Sequence, residues 1–241
     1  AWKLVIAASK FKEWPAFGME PKGRLALQDH GDEIAFRNLI VRDLDAKLMG
    51  ERDLFNGKDL TGWTAFVPEA AEQNITPESV WEVKDGVLIC KGNPAGYIRT
   101  TDKYKNYVLK LQWRFNPVTK KAGNSGVLLR MIGEDKVWPK SVEAQLFSEN
   151  AGDFWNIDDF TMTADPARTK GRNTKKTKMA ERAVGDWNDY EIIVRKGDII
   201  VRINGEEVNR ATNVEEVAGY ICLQSEGSEI HFQNISLAPL P

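Results

Sequence analysis

Alternation of apolar and polar residues predicts that most of this chain folds into short β-strands. From Tyr107 to Phe115 every second residue is apolar, which predicts a strand with one buried face. Val80 to Cys90 predicts a hairpin that turns at Asp85-Gly86, and Tyr190 to Ile203 and the residues from Asn204-Gly205 onward predict two more. No window of ten residues has the period and the caps of a helix. Short strands separated by glycine turns predict an all-β fold, an antiparallel β-sandwich of the jelly-roll type.

A repeat of 22 residues organises the chain at a larger scale. Residues 23–44 read GRLALQDHGDEIAFRNLIVRDL, and residues 219–240 read GYICLQSEGSEIHFQNISLAPL with no gap. A repeat at so long a spacing indicates duplicated domains, of which only one lies complete between the copies. We therefore predict that residues 1–48 are a tail resembling the closing strands of a preceding copy, and that residues 49–241 form a complete sandwich. The tail either adds strands to an edge of that sandwich or is the remnant of an upstream copy.

The composition of the chain indicates which kinds of molecule it is expected to bind. The formal net charge of the 241 residues is −2, which favours neither nucleic acid nor an anionic membrane. No run of 18 apolar residues exists, so no membrane span is predicted. The eight Trp residues fill the core or stack on sugars, and Trp138 and Trp155 are the candidates for sugar contact. The two cysteines, Cys90 and Cys222, form a disulfide or remain buried thiols.

A basic segment from Ala164 to Ala183 interrupts the strand pattern. A segment of this kind is either a solvated surface excursion or a lid over a site, because long loops are often functional. It has no interleaved aromatic residues, which disfavours nucleic-acid binding. Its basic residues are Arg168, Lys170, Arg172, Lys175, Lys176, Lys178 and Arg182, against Asp165 and Glu181.

The middle strands carry the polar residues that are best placed to bind a ligand or to act in catalysis. Apolar residues alternate with Glu143 and Gln145, so these two side chains point to the same face of a strand. Arg130 alternates with apolar neighbours in the same way. If the strands are neighbours, the three line one polar face, together with Gln112 and Arg114. Such a face suits sugar hydroxyls, and an ordinary solvent-facing sheet with an Arg–Glu pair has the same pattern, so both interpretations stay open.

Several short motifs follow one another along the chain. They are Leu54-Phe-Asn-Gly-Lys-Asp-Leu-Thr-Gly-Trp63, Trp81-Glu-Val-Lys-Asp-Gly86, Asn124-Ser-Gly-Val127 with Arg130, Glu143-Ala-Gln145, Gly185-Asp-Trp-Asn188 followed by Tyr190-Glu191, and Asn204-Gly205. In this order they resemble the 3-keto-disaccharide hydrolase family, whose members are concanavalin A-like lectin/glucanase sandwiches. The resemblance covers about residues 51–241, and residues 23–44 resemble the closing strands of the same family.

The resemblance implies a carbohydrate site on one sheet and action on an oligosaccharide or glycoside that is oxidised at carbon 3. A ketone there acidifies the proton on carbon 2, so a base removes it and the substituent at carbon 1 leaves. Glu143 is the first candidate for the base or for a metal ligand, and Arg130 is the candidate for stabilising the enolate oxygen. Asn124, Gln145 and Gln224 are the candidates for positioning the sugar.

The sequence does not show whether the site binds a metal ion. Calcium would fit an oxygen-rich sheet face, but no ligand spacing in the sequence is diagnostic of it. A second acidic group either binds a cation or is a solvated loop; it consists of Glu149, Asp153, Asp158 and Asp159.

One departure from the family bears on catalysis. The closing motif of the family often carries His, as the first copy does at His30, whereas the complete domain has Glu226. Glu226 is therefore expected either to replace the His as a catalytic group or to mark a domain that only binds carbohydrate. A third hypothesis is an ordinary glycosidase that uses Glu143 and Glu226 as its carboxylate pair. Family habit implies a bacterial periplasmic or extracellular setting.

Overall fold

The structure is a computed structural model that describes residues 8–14, 17, 24–28, 30–37 and 48–241. The chain divides into two compact units, Ala1–Ala46 and Lys47–Pro241. In the first unit no described residue lies in a strand or a helix. In the described ranges no helix is long and apolar enough to cross a membrane.

The second unit is built of antiparallel strands and three short 3-10 helices, which confirms the predicted all-β fold. The strands in chain order are β1 (Arg52–Asp53), β2 (Trp63–Phe66), β3 (Trp81–Lys84), β4 (Val87–Cys90), β5 (Gly96–Thr100), β6 (Tyr107–Phe115), β7 (Gly126–Met131), β8 (Ser141–Gln145), β9 (Phe154–Ile157), β10 (Thr169–Lys170), β11 (Asn173–Thr174), β12 (Asn188–Arg195), β13 (Asp198–Ile203), β14 (Glu206–Ala211), β15 (Tyr220–Ser225) and β16 (Ile230–Pro239).

These strands form two sheets that pack face to face. The first sheet has the order β14-β13-β12-β6-β16-β4-β3, with β1 paired to β16, and the second has the order β10-β11-β9-β8-β7-β15-β5-β2. The last two strands of the chain therefore lie in the interior of different sheets, β15 between β7 and β5 and β16 between β6 and β4. The second copy of the sequence repeat thus completes both layers of the sandwich.

The predicted hairpin turns are present, and the backbone explains their sequences. Asp85 and Gly86 join β3 to β4 with φ of 51° and 77°, and Asn204 and Gly205 join β13 to β14 with φ of 51° and 86°. Two successive residues with positive φ make the turn whose twist matches a two-residue hairpin, and Asp-Gly and Asn-Gly tolerate it best.

The core lies between the sheets and follows the predicted alternation. In β6 the residues Leu109, Leu111 and Trp113 are buried in it, as the period of two required. Both cysteines are buried free thiols, which resolves the alternative left open by the sequence. Cys90 belongs to this core, whereas Cys222 belongs to a smaller cluster on the other face of the second sheet. Burial raises the pKa of the Cys90 thiol to about 12.

The basic segment is partly integrated into the sandwich. It contains a 3-10 helix, and β10 and β11 within it extend the edge of the second sheet beyond β9. Lys176 and Glu181 form a buried ion pair at 2.9 Å. The carboxylate of Glu181 also accepts the backbone N–H groups of Glu149 and Ala151 at 3.0 Å each. These contacts fix the segment to the loop that follows β8, so it is not simply a solvated excursion.

Candidate active site

The candidate site lies on the outer face of the second sheet, the face turned away from the core. Three neighbouring strands contribute to it, because β8 pairs with β7 and β7 pairs with β15. Val142 and Ala144 of β8 pack in the core, so Glu143 between them points to the outer face. Leu223 of β15 packs in the core in the same way, which places Gln224 on the outer face.

Gly126 of β7 makes the space in which these side chains meet. A β-carbon built on Gly126 would lie 2.2 Å from Oε1 of Gln224 and 2.3 Å from Oε1 of Glu143. Real β-carbons do not come that close to other atoms, so the two side chains occupy the volume that any other residue here would need. The absence of a side chain at Gly126 therefore lets an acid and an amide converge over the strand.

Several polar atoms at this point are buried without a hydrogen-bond partner. They are Oε1 of Glu143, Oε1 and Nε2 of Gln224, and Oδ1 of Asn124, two residues before the start of β7. A buried polar atom without a partner costs about 1–3 kcal/mol, so such atoms are rare unless a ligand or water completes them. Their grouping makes this place a candidate binding site for a polar ligand.

Two carboxyl groups at the site have strongly shifted ionisation. Burial raises the pKa of Glu143 well above its ordinary value, and the charge of Glu226 raises it further. Burial also raises the pKa of Glu226, to about 7. Glu226 is the less buried of the two and directly follows β15. Glu143 is the more buried of the two, and the negative charge of Glu226 further favours its protonated form.

The other predicted sugar-contact residues have different surroundings. Trp155 of β9 pairs directly with Glu143, so the two side chains lie on the same face of the sheet. Gln145 is held in place, because its Oε1 accepts the backbone N–H groups of Leu146 and Phe147 at 2.9 Å each. Trp138 lies in the loop between β7 and β8 with 46% of its surface exposed.

A buried tyrosine beside the site was not predicted from the sequence. Tyr97 of β5 pairs with Gln224, and its hydroxyl donates to Oδ1 of Asp135 at 2.8 Å. Arg99 also donates to Asp135, at 3.0 Å. These bonds attach the loop between β7 and β8 to the outer face. Alternation within β5 could have placed Tyr97 on a face, but no local signal pairs it with a loop residue 38 positions away.

Arg130 does not lie where alternation predicted it. Its φ is +51°, and the pairing of β7 with β15 shifts register at this level, so the side chain leaves the outer face. Its guanidinium donates to the backbone carbonyls of Val214 and Glu215, and also to those of Lys105 and Lys196. The prediction that Arg130 stands beside Glu143 was therefore wrong, because a β-bulge interrupts the period of two.

Gln112 and Arg114 are also absent from the candidate site. Both lie on β6, which belongs to the first sheet, so the suggestion that they share a face with Glu143 was wrong. Arg114 stacks on the ring of Trp187 at 4.3 Å and donates to Nδ1 of His231 at 3.4 Å. His231 in turn contacts Glu229 through Nε2 at 2.7 Å. These residues form a separate polar cluster on the outer face of the first sheet.

Two of the four acidic residues considered as a second metal site serve internal contacts. Asp153 accepts the backbone N–H of Lys176 at 2.9 Å, and Asp158 pairs with Lys136 at 2.8 Å. Over the ranges that the structure describes, no three His, Cys, Asp or Glu side chains converge as a metal site. Calcium at the oxygen-rich face stays a prediction.

Comparisons with known proteins agree with this fold. Residues 50–238 match the family described as the 3-keto-alpha-glucoside-1,2-lyase-like domain. A 3-keto-disaccharide hydrolase of Bacteroides thetaiotaomicron is 23% identical over 219 residues, 79% of this chain and 71% of that protein. A candidate glycosyl hydrolase from Parabacteroides distasonis superposes with a TM-score of 0.60 at 24% identity, over 80% of this chain and 95% of that one. A β-glucanase from Bacillus licheniformis superposes with a TM-score of 0.55 at 12% identity, and the match covers 80% of this chain and 99% of that one.

Proposed function

The chain belongs to the 3-keto-alpha-glucoside-1,2-lyase-like domain family, and on that premise we propose that it cleaves glycosides whose sugar carries a ketone at carbon 3. The observation that carries the proposal is the convergence of Glu143 and Gln224 over Gly126, within the electrostatic reach of Glu226. Family membership itself makes the chain a carbohydrate-active, hydrolase-like protein. The substrate class and the reaction steps are our proposal.

The reaction needs a base, an acid and no covalent intermediate. The carbon-3 ketone acidifies the hydrogen on carbon 2, so a carboxylate can remove that proton and leave an enolate. The electron pair then forms a double bond between carbons 1 and 2, and the bond from carbon 1 to the departing oxygen breaks. That oxygen takes up a proton. The products are the released alcohol and an unsaturated keto sugar, to which water can add.

The two shifted carboxyls suit the two roles. A general base works best when its pKa is near the working pH, and the pKa of Glu226 is about 7. We therefore assign the removal of the carbon-2 proton to Glu226. Burial and the charge of Glu226 favour the protonated form of Glu143, so it can donate a hydrogen bond to the developing enolate oxygen or a proton to the departing oxygen. Arg130 has no part in this scheme.

Recognition of the sugar is assigned to the neighbours of the carboxyls. Both amide atoms of Gln224 lack a partner, so this side chain can donate to one sugar oxygen and accept from another. The ring of Trp155, opposite Glu143, offers an apolar surface for the face of the sugar. Asn124 has a free acceptor, Oδ1, at the same end of β7.

An assay with a chromogenic substrate tests the proposal. The substrate is a 3-keto-α-glucoside of nitrophenol, and the unoxidised α-glucoside is the control. We expect nitrophenol release from the keto compound alone. Release should be abolished in Glu226→Gln, which lacks the base, reduced in Glu143→Gln, which cannot give up a proton, and unchanged in Glu82→Gln, an exposed glutamate on the first sheet.

Other results would reject this function in specific ways. If the keto-glucoside binds in calorimetry but no nitrophenol is released, the domain is a carbohydrate-binding module. If the unoxidised glucoside is cleaved as fast as the keto compound, the carboxyl pair acts as in an ordinary glycosidase and the ketone has no role.

A further inference from the structure

The first unit exposes large apolar side chains that its repeat partner buries. Among its described residues 24–28 and 30–37, none lies in a strand, and four large apolar side chains are between 46% and 81% exposed. The residues at the same repeat positions in the second unit are completely buried. The pairs are Leu25 and Ile221, Leu27 and Leu223, Ile34 and Ile230, and Phe36 and Phe232.

The buried copies show what such a segment does in this fold. Residues 219–240 contain β15 and β16, each of which has a paired strand on both sides. If both were removed from a sandwich, each sheet would have an open slot whose flanking strands carry unpaired N–H and C=O groups. The repeat sequence is therefore a two-strand element that closes both sheets at once.

The spacing of the repeat matches the length of one domain. The copies start 196 residues apart, and the unit Lys47–Pro241 is 195 residues long. A tandem array of identical domains has a repeat period equal to the length of one domain. A sandwich placed directly before this one would thus have its closing strands at residues 23–44.

We propose that residues 23–44 are the closing strand pair of a second sandwich of the same family, which lies immediately upstream in the same polypeptide. In that sandwich Leu25 and Leu27 pack against the core from the β15 position, and Ile34 and Phe36 pack from the β16 position. An upstream sandwich accounts for the repeat, for the period of the repeat and for the exposed apolar side chains of residues 24–37. An added edge strand accounts for none of these in particular, since the buried copies are interior strands.

The same register places two residues of the segment 23–44 in the active site of the proposed upstream sandwich. Gln28 falls at the position of Gln224, and His30 falls at the position of Glu226. The upstream sandwich would therefore carry an imidazole where this domain carries a carboxylate. This corollary rests on the function proposed above, whereas the strand-pair assignment does not.

A tandem fusion tests the strand-pair assignment. Residues 47–218 of this chain, a sandwich without β15 and β16, are joined directly to residues 23–241, so that Gly23 follows Ala218 in the register of the repeat. We expect the amides of residues 24–37 to exchange with deuterium at least about 100-fold more slowly than in the unfused chain, as in other core strands. The matched control is the same fusion with Leu27→Asp and Phe36→Asp, which should restore fast exchange.

A chimera covers the case in which the truncated half does not fold in the fusion. Residues 219–240 are replaced by the sequence of residues 23–44, which has the same length. The chimera should unfold cooperatively, while a scrambled insert of equal composition should not. Protection in the fusion or cooperative unfolding of the chimera supports the assignment. Fast exchange in the fusion together with a chimera that does not fold overturns it.

Ligand stoichiometry separates this inference from the proposed function. A folded fusion should bind two equivalents of the keto-glucoside in calorimetry, whereas the unfused chain should bind one. Two protected closing pairs without any binding would overturn the proposed function and leave the strand assignment standing. One equivalent bound by a fully protected fusion would overturn the corollary about Gln28 and His30.

Discussion

The carboxyl group of Glu143 occupies the space in which a side chain at Gly126 would begin. Its Oε1 lies 2.3 Å from the ideal β-carbon position, although the two residues belong to neighbouring strands. Only glycine fits beneath the carboxyl, and the same gap accommodates the amide of Gln224. The site therefore depends on a residue that has no chemistry of its own.

Gly126→Ala should damage the site more than the fold. The backbone of Gly126 does not need positive φ, so alanine can adopt it, but the methyl group must displace Glu143 and Gln224. A shift of about 1 Å in a catalytic group commonly costs about 100-fold in rate, and we expect a loss of that size in kcat/KM. The control is Gly197→Ala, whose β-carbon would make ordinary contacts. Full activity in Gly126→Ala would show that Glu143 is not positioned for chemistry.

The pH dependence of turnover should report Glu226. If its carboxylate is the base, kcat/KM should rise about tenfold per pH unit below a pKa of about 7 and level off above it. A fall at more alkaline pH should follow when Glu143 loses the proton that burial and the charge of Glu226 favour. Initial rates from pH 5 to pH 10 on the keto-glucoside measure both limbs. A profile with no inflection near pH 7 would exclude Glu226 as the base.

The stability of the protein should fall with rising pH because of the same group. The pKa of Glu226 is about 7 in the folded state against an ordinary 4.5, so the folded protein holds a proton that the unfolded chain releases. This contribution is fully present below pH 4.5 and is lost as pH rises to about 7. Because Glu226 is partly exposed, we expect a loss of about 1–2 kcal/mol between pH 5 and pH 8. Urea unfolding of Glu226→Gln should show a smaller loss than the wild type, and an equal loss would contradict the assignment.

Arg130→Lys should destabilise the fold without changing the chemistry of the site. A lysine keeps the charge but cannot donate to carbonyls from two separate loops with one planar group, as the guanidinium does. Hydrogen bonds that involve a buried charged group contribute about 1.5–3 kcal/mol each, so we expect a loss of at least about 3 kcal/mol in urea unfolding. Arg210→Lys, which alters an exposed pair with Glu207, is the control. A loss of kcat in folded Arg130→Lys with unchanged stability would restore Arg130 to the active site.

Sequence reasoning was reliable where a structure is decided by neighbouring residues. The hairpins at Asp85-Gly86 and Asn204-Gly205 were predictable because the turn requires positive φ at two successive positions. The outward direction of Glu143 followed from the apolar residues on either side of it. The family resemblance added the expectation of a carbohydrate site on one sheet, which no local pattern contains.

The same reasoning gave wrong positions, or none, for side chains whose location depends on how the strands pair. Arg130 leaves its expected face because a bulge adds one residue to β7, and bulges have no reliable local signal when the bulged residue is not glycine. Gln112 and Arg114 have the right alternation but belong to the other sheet.

The sequence by itself determined the fold class, the turns, the faces of regular strands and the existence of the repeat, because periodicity and backbone preference act over a few residues. Only the tertiary structure decided that Glu143, Gln224 and Gly126 meet and that Glu226 acts on Glu143. It also decided that the apolar residues of the repeat are buried in one copy and exposed in the other. Burial and electrostatic coupling depend on which strands become neighbours, and residues far apart in the chain set those distances.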